Sequence, residues 1–436
     1  MQRLKILGGS ILLIIMVYAL KKGVKNSISF DDPKNLISAT QPKKNIFDQQ
    51  KAVLYSFQQQ KLKAAITAYF EKAIAKGDIV GAGVSIVKGD SIVISDGFGK
   101  RDSKKYGDVD GQTMFRLGSL SKGFAGILAA NLVNEGKLEW EDKVSEYVPE
   151  FRLGDRSNTE KITLANILSH TSGAPYHSYT NLVEAGLTLT DIAKRFKEVE
   201  PISNPGTVYS YQNALFALSG EMMYKATGQP LTRSLQNRFF NPLEMCSTTM
   251  DHESLEETDN VAMPHTKWHK RWRPRPIRSN YYNAIAAGGI NASAADMAKW
   301  MRFLLGHNPE IMSKEALRKA FNPFVEIKGH SKYYQRWPGH VSSHYGFGWR
   351  IHKFVEEDTS EEKTIWHHGG SVNNFRNEIA VYPEADLGIC VLLNNNSKIA
   401  RTVVPDLYKI VQEVYQQSAP KIKIAVNNMP GSDLPL

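Results

Sequence analysis

Strand-forming runs lie near both ends of this chain and scarcely between them, and this constrains its fold more than any other feature. Residues 80–98 alternate apolar and polar side chains and turn at Lys88-Gly89-Asp90, the pattern of a hairpin. Strand-like segments return only late, at 346–351, 364–368, 378–382 and 387–393, with Pro383-Glu384-Ala385-Asp386 turning between the last two. The stretch from about 137 to 285 reads as helix and loop. A half-buried strand needs neighbours, so the early hairpin and the late strands are expected to share one sheet. The fold class is therefore α/β in the broad sense (α+β): a mostly antiparallel sheet drawn from both chain ends and flanked by helices, with an all-helical insertion at about 137–285.

Helical periodicity fills in the flanks. Residues 49–76 place Leu54, Phe57, Leu62, Ile66 and Phe70 on one stripe. Residues 119–135 do the same with Leu120, Phe124, Leu128 and Leu132, and Gly136 stands just past the end, where a helix stops. A capped segment at Asn291–Met297 leads into Trp300, Leu304 and Leu305, and a last helix is expected at about 400–416. The N-terminus carries a 15-residue apolar run, Ile6 to Leu20, broken only by Gly8, Gly9, Ser10 and Tyr18 and flanked by Arg3, Lys5, Lys21, Lys22 and Lys25. It reads as an export signal or a membrane anchor, and with no small-residue cleavage site after it the anchor is preferred. The expected organisation is a signal or anchor at 1–22, a polar linker at 23–55, one folded body at 56–416 and a tail rich in Pro, Asn and Ser at 417–436. This places the protein at the membrane or exported to the periplasm or cell envelope.

Composition excludes more than it identifies. With 436 residues, the chain is long enough for a large core. A net charge of +10 is moderate for that length, and no zinc-finger spacing, phosphate loop or RNA-binding signature accompanies it, so nucleic acid is not an expected partner. The two cysteines, Cys246 and Cys390, are too few and too far apart for a metal cluster. Cys390 lies in an apolar strand-like run and is expected as a packed thiol, with a Cys246–Cys390 disulfide left open. No metal or cofactor is expected.

The chemistry concentrates at Gly118-Ser119-Leu120-Ser121-Lys122. A serine hydroxyl needs a neighbour to take its proton, and residues three apart on a helix share a face, so Lys122 can reach Ser119. Burial favours the neutral amine. The same spacing occurs at Ser85/Lys88, Ser360/Lys363 and Ser418/Lys421, in a strand, an acidic loop and the tail; only Ser119 follows a turn glycine and opens a helix. Tyr211 and Asn213 follow a Pro205-Gly206 turn and precede a helix. Tyr211 suits general acid/base work if nearby cations lower its pKa, and Asn213 suits bonding to Lys122 and a substrate carbonyl. In Trp366-His367-His368-Gly369-Gly370-Ser371, strand alternation puts His368 and Gly370 on one face and His367 on the other, and the glycines let a substrate backbone approach the strand edge.

These three elements in order resemble class C β-lactamases and related penicillin-binding proteins, an active-site serine hydrolase family. The Ser-x-x-Lys, Tyr-x-Asn and Lys/His-x-Gly motifs match Ser119/Lys122, Tyr211/Asn213 and His368-Gly369-Gly370. Ile162–Gly173 and Ala287-Gly288-Gly289-Ile290 also look like the family, and the resemblance runs from about 60 to 415. His170-Thr171-Ser172-Gly173 imitates the third motif but follows a helical run, so it is read as structural. The resemblance implies Ser119 as nucleophile, Lys122 with Tyr211 as base and acid, Asn213 as positioner, His368 on the docking strand formed with Gly369 and Gly370, and an oxyanion site between the backbone amides of Ser119 and Ser371. Substrates would be β-lactams, D-Ala peptides, including peptidoglycan-derived ones, or esters. His368 stands where the β-lactamases carry lysine, and Asn374 where a glycine is usual. The alternative function is a non-catalytic binding or sensing module at the cell envelope. It would use the basic aromatic segment Lys267–Pro276 to grip an anionic polymer, although that segment is also what a solvated surface loop looks like.

Overall fold

The structure is a computed structural model that describes residues 42–416 apart from 357–359, with side chains from residue 51 onward. The apolar run at 6–20 and the tail at 417–436 lie outside the described residues. The chain divides into two units, 1–54 and 55–436, and the account below concerns the second. Among the described residues no helix is long and apolar enough to cross a membrane.

One eight-stranded sheet organises the second unit. Its strands are β1 (Gly81–Lys88), β2 (Ser91–Gly99), β7 (Val325–Glu326), β8 (His340–Tyr345), β9 (Arg350–Val355), β10 (Glu362–Val372), β11 (Phe375–Tyr382) and β12 (Leu387–Leu393). Two short pairs stand apart: β3 (Met114–Arg116) with β6 (Asn291–Ser293), and β4 (His265–Trp268) with β5 (Arg271–Pro274). The sheet order is β2-β1-β12-β11-β10-β9-β8-β7, every pairing antiparallel. The early hairpin thus joins the late strands through β1 and β12, with Ala82 opposite Leu393 and Lys88 opposite Leu387. Residues 80–98 do form the expected hairpin, with Gly89 at φ +59° in its turn.

Both faces of the sheet are covered, which is why β12 is an unbroken apolar run. Leu387, Ile389, Val391 and Leu393 enter one core, together with Leu62, Ile66 and Phe70 of the Pro42–Ala75 helix and Val404, Leu407 and Val411 of the Val403–Gln416 helix. Cys390 and Leu392 enter the other, with Phe124 and Leu128 of the Ser121–Asn134 helix and Met297, Trp300 and Met301 of the Ala294–Leu304 helix. Glycines set the spacing of this second layer: a Cβ on Gly388 would sit 2.9 Å from Met301 Cβ, and one on Gly83 3.1 Å from the Phe115 ring. Cys390 is a buried free thiol and Cys246 an exposed one, so no disulfide joins them.

Three expectations are corrected. The helix expected over 49–76 begins at Pro42, within the segment assigned to the linker. The strand expected over 346–351 begins only at Arg350, because Gly346–Trp349 is a turn closed by Gly346 N–H to the Trp349 carbonyl (2.8 Å) with Gly348 at φ +80°. Its neighbour β8 has the mostly polar sequence His340-Val341-Ser342-Ser343-His344-Tyr345, which carries no apolar run to announce a strand. The segment 137–285 is mainly helical but includes the β4–β5 hairpin, whose Trp272 donates to the Gly77 carbonyl at 3.0 Å; Lys267–Pro276 is therefore partly anchored rather than a loose loop.

Gly126 offers a test of this packing. Glycine inside a helix is ordinarily less stable than alanine by about 1 kcal/mol. Here a Cβ would lie 1.9 Å from the Phe347 carbonyl oxygen. Gly126→Ala is expected to destabilise by about 1–3 kcal/mol through overpacking, read as a lower denaturant midpoint with an unchanged m-value.

Candidate active site

Ser119 sits in a single 3₁₀ turn, Gly118–Leu120, that runs directly into the Ser121–Asn134 helix. The turn is clamped from several sides. Gly118 has φ +57°, and a Cβ there would lie 3.0 Å from the backbone N and C of Ser371. A Cβ on Gly370 would lie 2.1 Å from the Leu117 carbonyl oxygen. Asn377 of β11 donates to the carbonyls of Arg116 (2.8 Å) and Leu117 (3.1 Å), while Leu117 N–H donates to the Ile290 carbonyl (2.9 Å). The buried Arg116 guanidinium reaches across to the Arg278 carbonyl at 2.6 Å and stacks on the Tyr282 ring at 4.5 Å. These contacts join the sheet, the helical layer and the 278–290 segment at one turn, and they leave Ser119 only half-buried.

Lys122 is fully buried one helical turn on. Its Nζ lies 3.2 Å from Ser119 Oγ, 2.8 Å from Asn213 Oδ1 and 2.7 Å from the Ala287 carbonyl oxygen. Burial, reinforced by the nearby Arg350 guanidinium, holds its pKa well below the usual lysine value. A neutral amine has two N–H donors and one lone pair. Asn213 Oδ1 and the Ala287 carbonyl only accept, so they take both N–H groups, and the lone pair is left for the Ser119 hydroxyl proton. Asn213 Nδ2 is turned the other way, toward Tyr281 Oη at 3.2 Å, which orients the amide.

Tyr211 Oη lies 2.9 Å from Ser119 Oγ. The sequence expectation was a pKa lowered by cations. Burial wins instead and pushes the phenol up to about 12, although Arg350 and the bond to Ser119 pull the other way. Tyr211 is therefore a protonated donor to Ser119, and Lys122 is the group able to accept. Its ring is held by His170, whose centroid is 4.2 Å away and whose Nδ1 accepts from Gln212 N–H at 3.1 Å. His170 has φ +60° and a pKa held well below the usual value by burial and by Lys122 and Arg350, so the ring is neutral as that acceptance requires.

The alternation expected in β10 is present. Gly370 faces the Gly118–Leu120 turn, whereas a Cβ on Gly369 would meet Tyr333 and Glu378 on the opposite face. Strand β9 pairs with β10 only from Glu362 to His367, so the β9-side edge of His368–Val372 has no strand partner among the described residues. The Asn374 departure is accommodated: Asn373 (φ +47°) and Asn374 (φ +66°) form a two-residue turn of the kind that asparagine tolerates in place of glycine. His368 itself is buried and engaged at both nitrogens, Nδ1–H with the Gly369 carbonyl (2.8 Å) and Nε2 with Tyr345 Oη (2.9 Å). Among the described residues it makes no hydrogen bond to Ser119, Lys122 or Tyr211. Burial, then Arg350 and Lys122, keep it neutral.

Three contributors were given no role from the sequence, the Ala287 carbonyl, Tyr345 and Arg350, while His170 was read as structural and here packs on the Tyr211 ring. Ala287-Gly288-Gly289 and His170-Thr171-Ser172-Gly173 were legible as unusual stretches, but a carbonyl acceptor and a ring clamp leave no distinctive residue type. No group of His, Cys, Asp and Glu suited to a metal ion occurs among the described residues.

A family model described as Beta-lactamase matches residues 66–410. Protein flp of Staphylococcus aureus (strain N315) is 26% identical over 348 residues, covering 78% of this chain and 65% of that protein. Unguisins hydrolase ungD' of Aspergillus campestris (strain IBT 28561) is 24% identical over 303 residues, covering 66% of this chain and 54% of that protein. The chain thus spans under two thirds of the length of these curated relatives. Among solved structures, an octameric penicillin-binding protein homologue from Pyrococcus abyssi superposes with a TM-score of 0.67 at 24% identity, covering 80% of this chain and 77% of that one, which shows a shared fold.

Gly118→Ala tests the clamp. The left-handed backbone and the Ser371 contact together predict a loss of about 1–3 kcal/mol, measurable by denaturant unfolding.

Proposed function

The chain belongs to the Beta-lactamase family of serine hydrolases, and from that premise we propose that it cleaves amide or ester bonds through an acyl-enzyme on Ser119. The observation that carries this reading is the buried Lys122 amine, whose other two partners are both pure acceptors. The Ser119 oxygen attacks the substrate carbonyl carbon as its proton passes to Lys122 Nζ. The resulting oxyanion is received by the backbone amides of Ser119 and Ser371, a role supported by the close approach of Gly118 to the Ser371 backbone. As the tetrahedral species collapses, the bond to the leaving nitrogen or oxygen breaks and Tyr211 Oη supplies its proton. The proton held by Lys122 then returns to the Tyr211 phenolate, whose ring centroid lies 4.9 Å from Nζ, and the amine is neutral again. Water adds to the acyl carbon as its proton passes to the same amine, which returns it to Ser119 Oγ as the bond from that oxygen to the acyl carbon breaks and the acid product leaves.

The unpaired edge at His368–Val372 supports docking of an extended substrate backbone beside Gly369 and Gly370. A neutral, doubly engaged His368 supplies no permanent cation, so its role is to hold the buried Tyr345, which packs edge-on against Tyr211 at 6.5 Å. This favours esters or D-Ala peptides over β-lactams as the better substrates. The basic-flanked apolar run at 6–20 supports work at the cell envelope, on substrates such as peptidoglycan-derived peptides.

A fluorescent penicillin, a fluorophosphonate probe and nitrophenyl esters test the reading. Wild type is expected to label and turn over, Ser119→Ala to do neither, and Lys122→Ala to lose nearly as much, because the two residues act as a unit. Tyr211→Phe is expected to lower kcat by about 10²–10⁴-fold while leaving the fold intact. Serine-independent turnover, or unimpaired acylation in Lys122→Ala, would overturn it.

The pH profile follows from the same groups. Acylation requires neutral Lys122, so its rate rises with pH through the depressed lysine pKa, well below 10.5. Tyr211 stays protonated until about pH 12, so no alkaline fall is expected below that range. A rate that climbs only near the ordinary lysine pKa would count against a buried neutral base.

A further inference from the structure

Behind the docking strand, on the face away from Ser119, lies a buried polar chain that the proposed chemistry does not use. His340 Nε2 is 2.7 Å from Ser343 Oγ, and Ser343 Oγ is 2.8 Å from His352 Nδ1. His352 Nε2 is 3.0 Å from His367 Nδ1, and His367 Nε2 is 2.8 Å from Glu378 Oε2. Ser343, His352, His367 and Glu378 are all 2% exposed or less. The outer end is open to water: His340 is half-buried, and both it and His352 line a cavity of about 790 Å³ walled by Trp337, Phe354, Tyr382 and Tyr408.

Glu378 ends the chain directly behind the substrate strand. Its carboxylate oxygens lie 2.9 and 3.1 Å from where a Gly369 Cβ would be. Tyr333 Oη also donates to Oε2 at 2.8 Å, and Arg376 Nη2 to Oε1 at 2.8 Å. The groups facing it are Arg376 on its own strand, His367 from β10, Arg350 and His352 from β9, Tyr333 from the Tyr333–Arg336 turn, and Cys390 from β12. We propose that Glu378 is a positioning residue for the docking edge of β10, and that the His340–Ser343–His352–His367 chain is its proton path. The proposal rests on Ser119 catalysis at that edge.

The hydrogen-bond directions make the chain reversible as a unit. With Glu378 ionised, His367 donates Nε2–H to the carboxylate, His352 donates Nε2–H to His367, Ser343 donates O–H to His352, and His340 donates Nε2–H to Ser343. A proton entering at His340 Nδ1 moves each of these hydrogens one place along. Glu378 ends protonated and donates to His367 Nε2, every link persists with its direction reversed, and each intermediate group keeps its proton count. Burial is the main cause that keeps the histidines' pKa values down, so the neutral forms this relay needs are the resting ones. Burial also lifts Glu378 to about 7 against the pull of Arg376, Tyr333 and Arg350, so the reversal falls in a working pH range. The ionised form holds Arg376 by an ion pair and sets Gly369; the protonated form gives up that pair, so the edge loosens.

The competent state is the ionised one. KM for a nitrophenyl ester is therefore expected to fall as pH rises through about 7, while kcat follows Lys122 separately. Glu378→Gln mimics the protonated form. It should lose this KM step and keep the acid-side KM at all pH, about tenfold above wild type at alkaline pH, the size of one pK unit of coupling. Tyr333→Phe removes a donor that favours the carboxylate, so its KM step should move to higher pH with kcat little changed, which keeps a test available if Glu378→Gln does not fold. A folded Glu378→Gln that keeps the wild-type step, or a folded Tyr333→Phe whose midpoint does not move, would overturn the proposal. Absence of any Ser119-dependent turnover in wild type would instead count against the hydrolase reading itself.

Discussion

The buried amine of Lys122 sets the terms for everything around it. Placing an amine in a site with no exposure strips its hydration, and the loss is tolerable only if the group is neutral and its donors are satisfied. Asn213 and the Ala287 carbonyl satisfy them, and Tyr281 fixes which end of the Asn213 amide faces the lysine. Three chain segments far apart in sequence therefore have to meet at one nitrogen. The surrounding positions serve that meeting: Gly288 is packed on the Tyr281 ring, the Gly346–Trp349 turn lies against the lysine's own backbone, and Trp349 donates to the Gly123 carbonyl.

Close backbone approach is the second physical theme. The Gly118–Leu120 turn and β10 touch through Gly118 against Ser371 and Gly370 against Leu117, so no side chain separates them. Such contact makes the distance between serine and strand a property of the backbone, which is stiffer than any rotamer. It also explains how the β9–β10 pairing can stop at His367 without leaving β10 loose: the strand passes from pairing with β9 to packing on the Gly118–Leu120 turn, and its edge beyond has no strand partner among the described residues.

Electrostatics divides the two faces of β10. Toward Ser119, burial and the Arg350 guanidinium keep His368 and His170 neutral and so available as acceptors for Tyr345 and Gln212. On the far face the buried carboxylate of Glu378 sits among Arg376, Arg350 and the His367–His352 pair. One strand thus separates a site that needs a neutral amine from a network able to take up a proton, with Gly369 as the point where the two are closest.

The sequence determined the local pieces. Ser119 and Lys122 share a helical face because of the repeat of the helix, β12 reads as a strand buried on both faces, and His368 and Gly370 share a side because strands alternate. Periodicity is a property of neighbours in the chain, so it is visible without coordinates. Only the tertiary structure decided which groups surround those pieces. It made Tyr211 a donor rather than a low-pKa base, because burial outweighed the one nearby cation, and it turned His368 toward Tyr345 rather than the serine. It also converted Gly346–Trp349 from an expected strand into a turn and gathered His340, His352, His367 and Glu378 into one chain of hydrogen bonds. Desolvation and hydrogen-bond partnership depend on what packs from distant parts of the chain, and no local pattern of residue types records that.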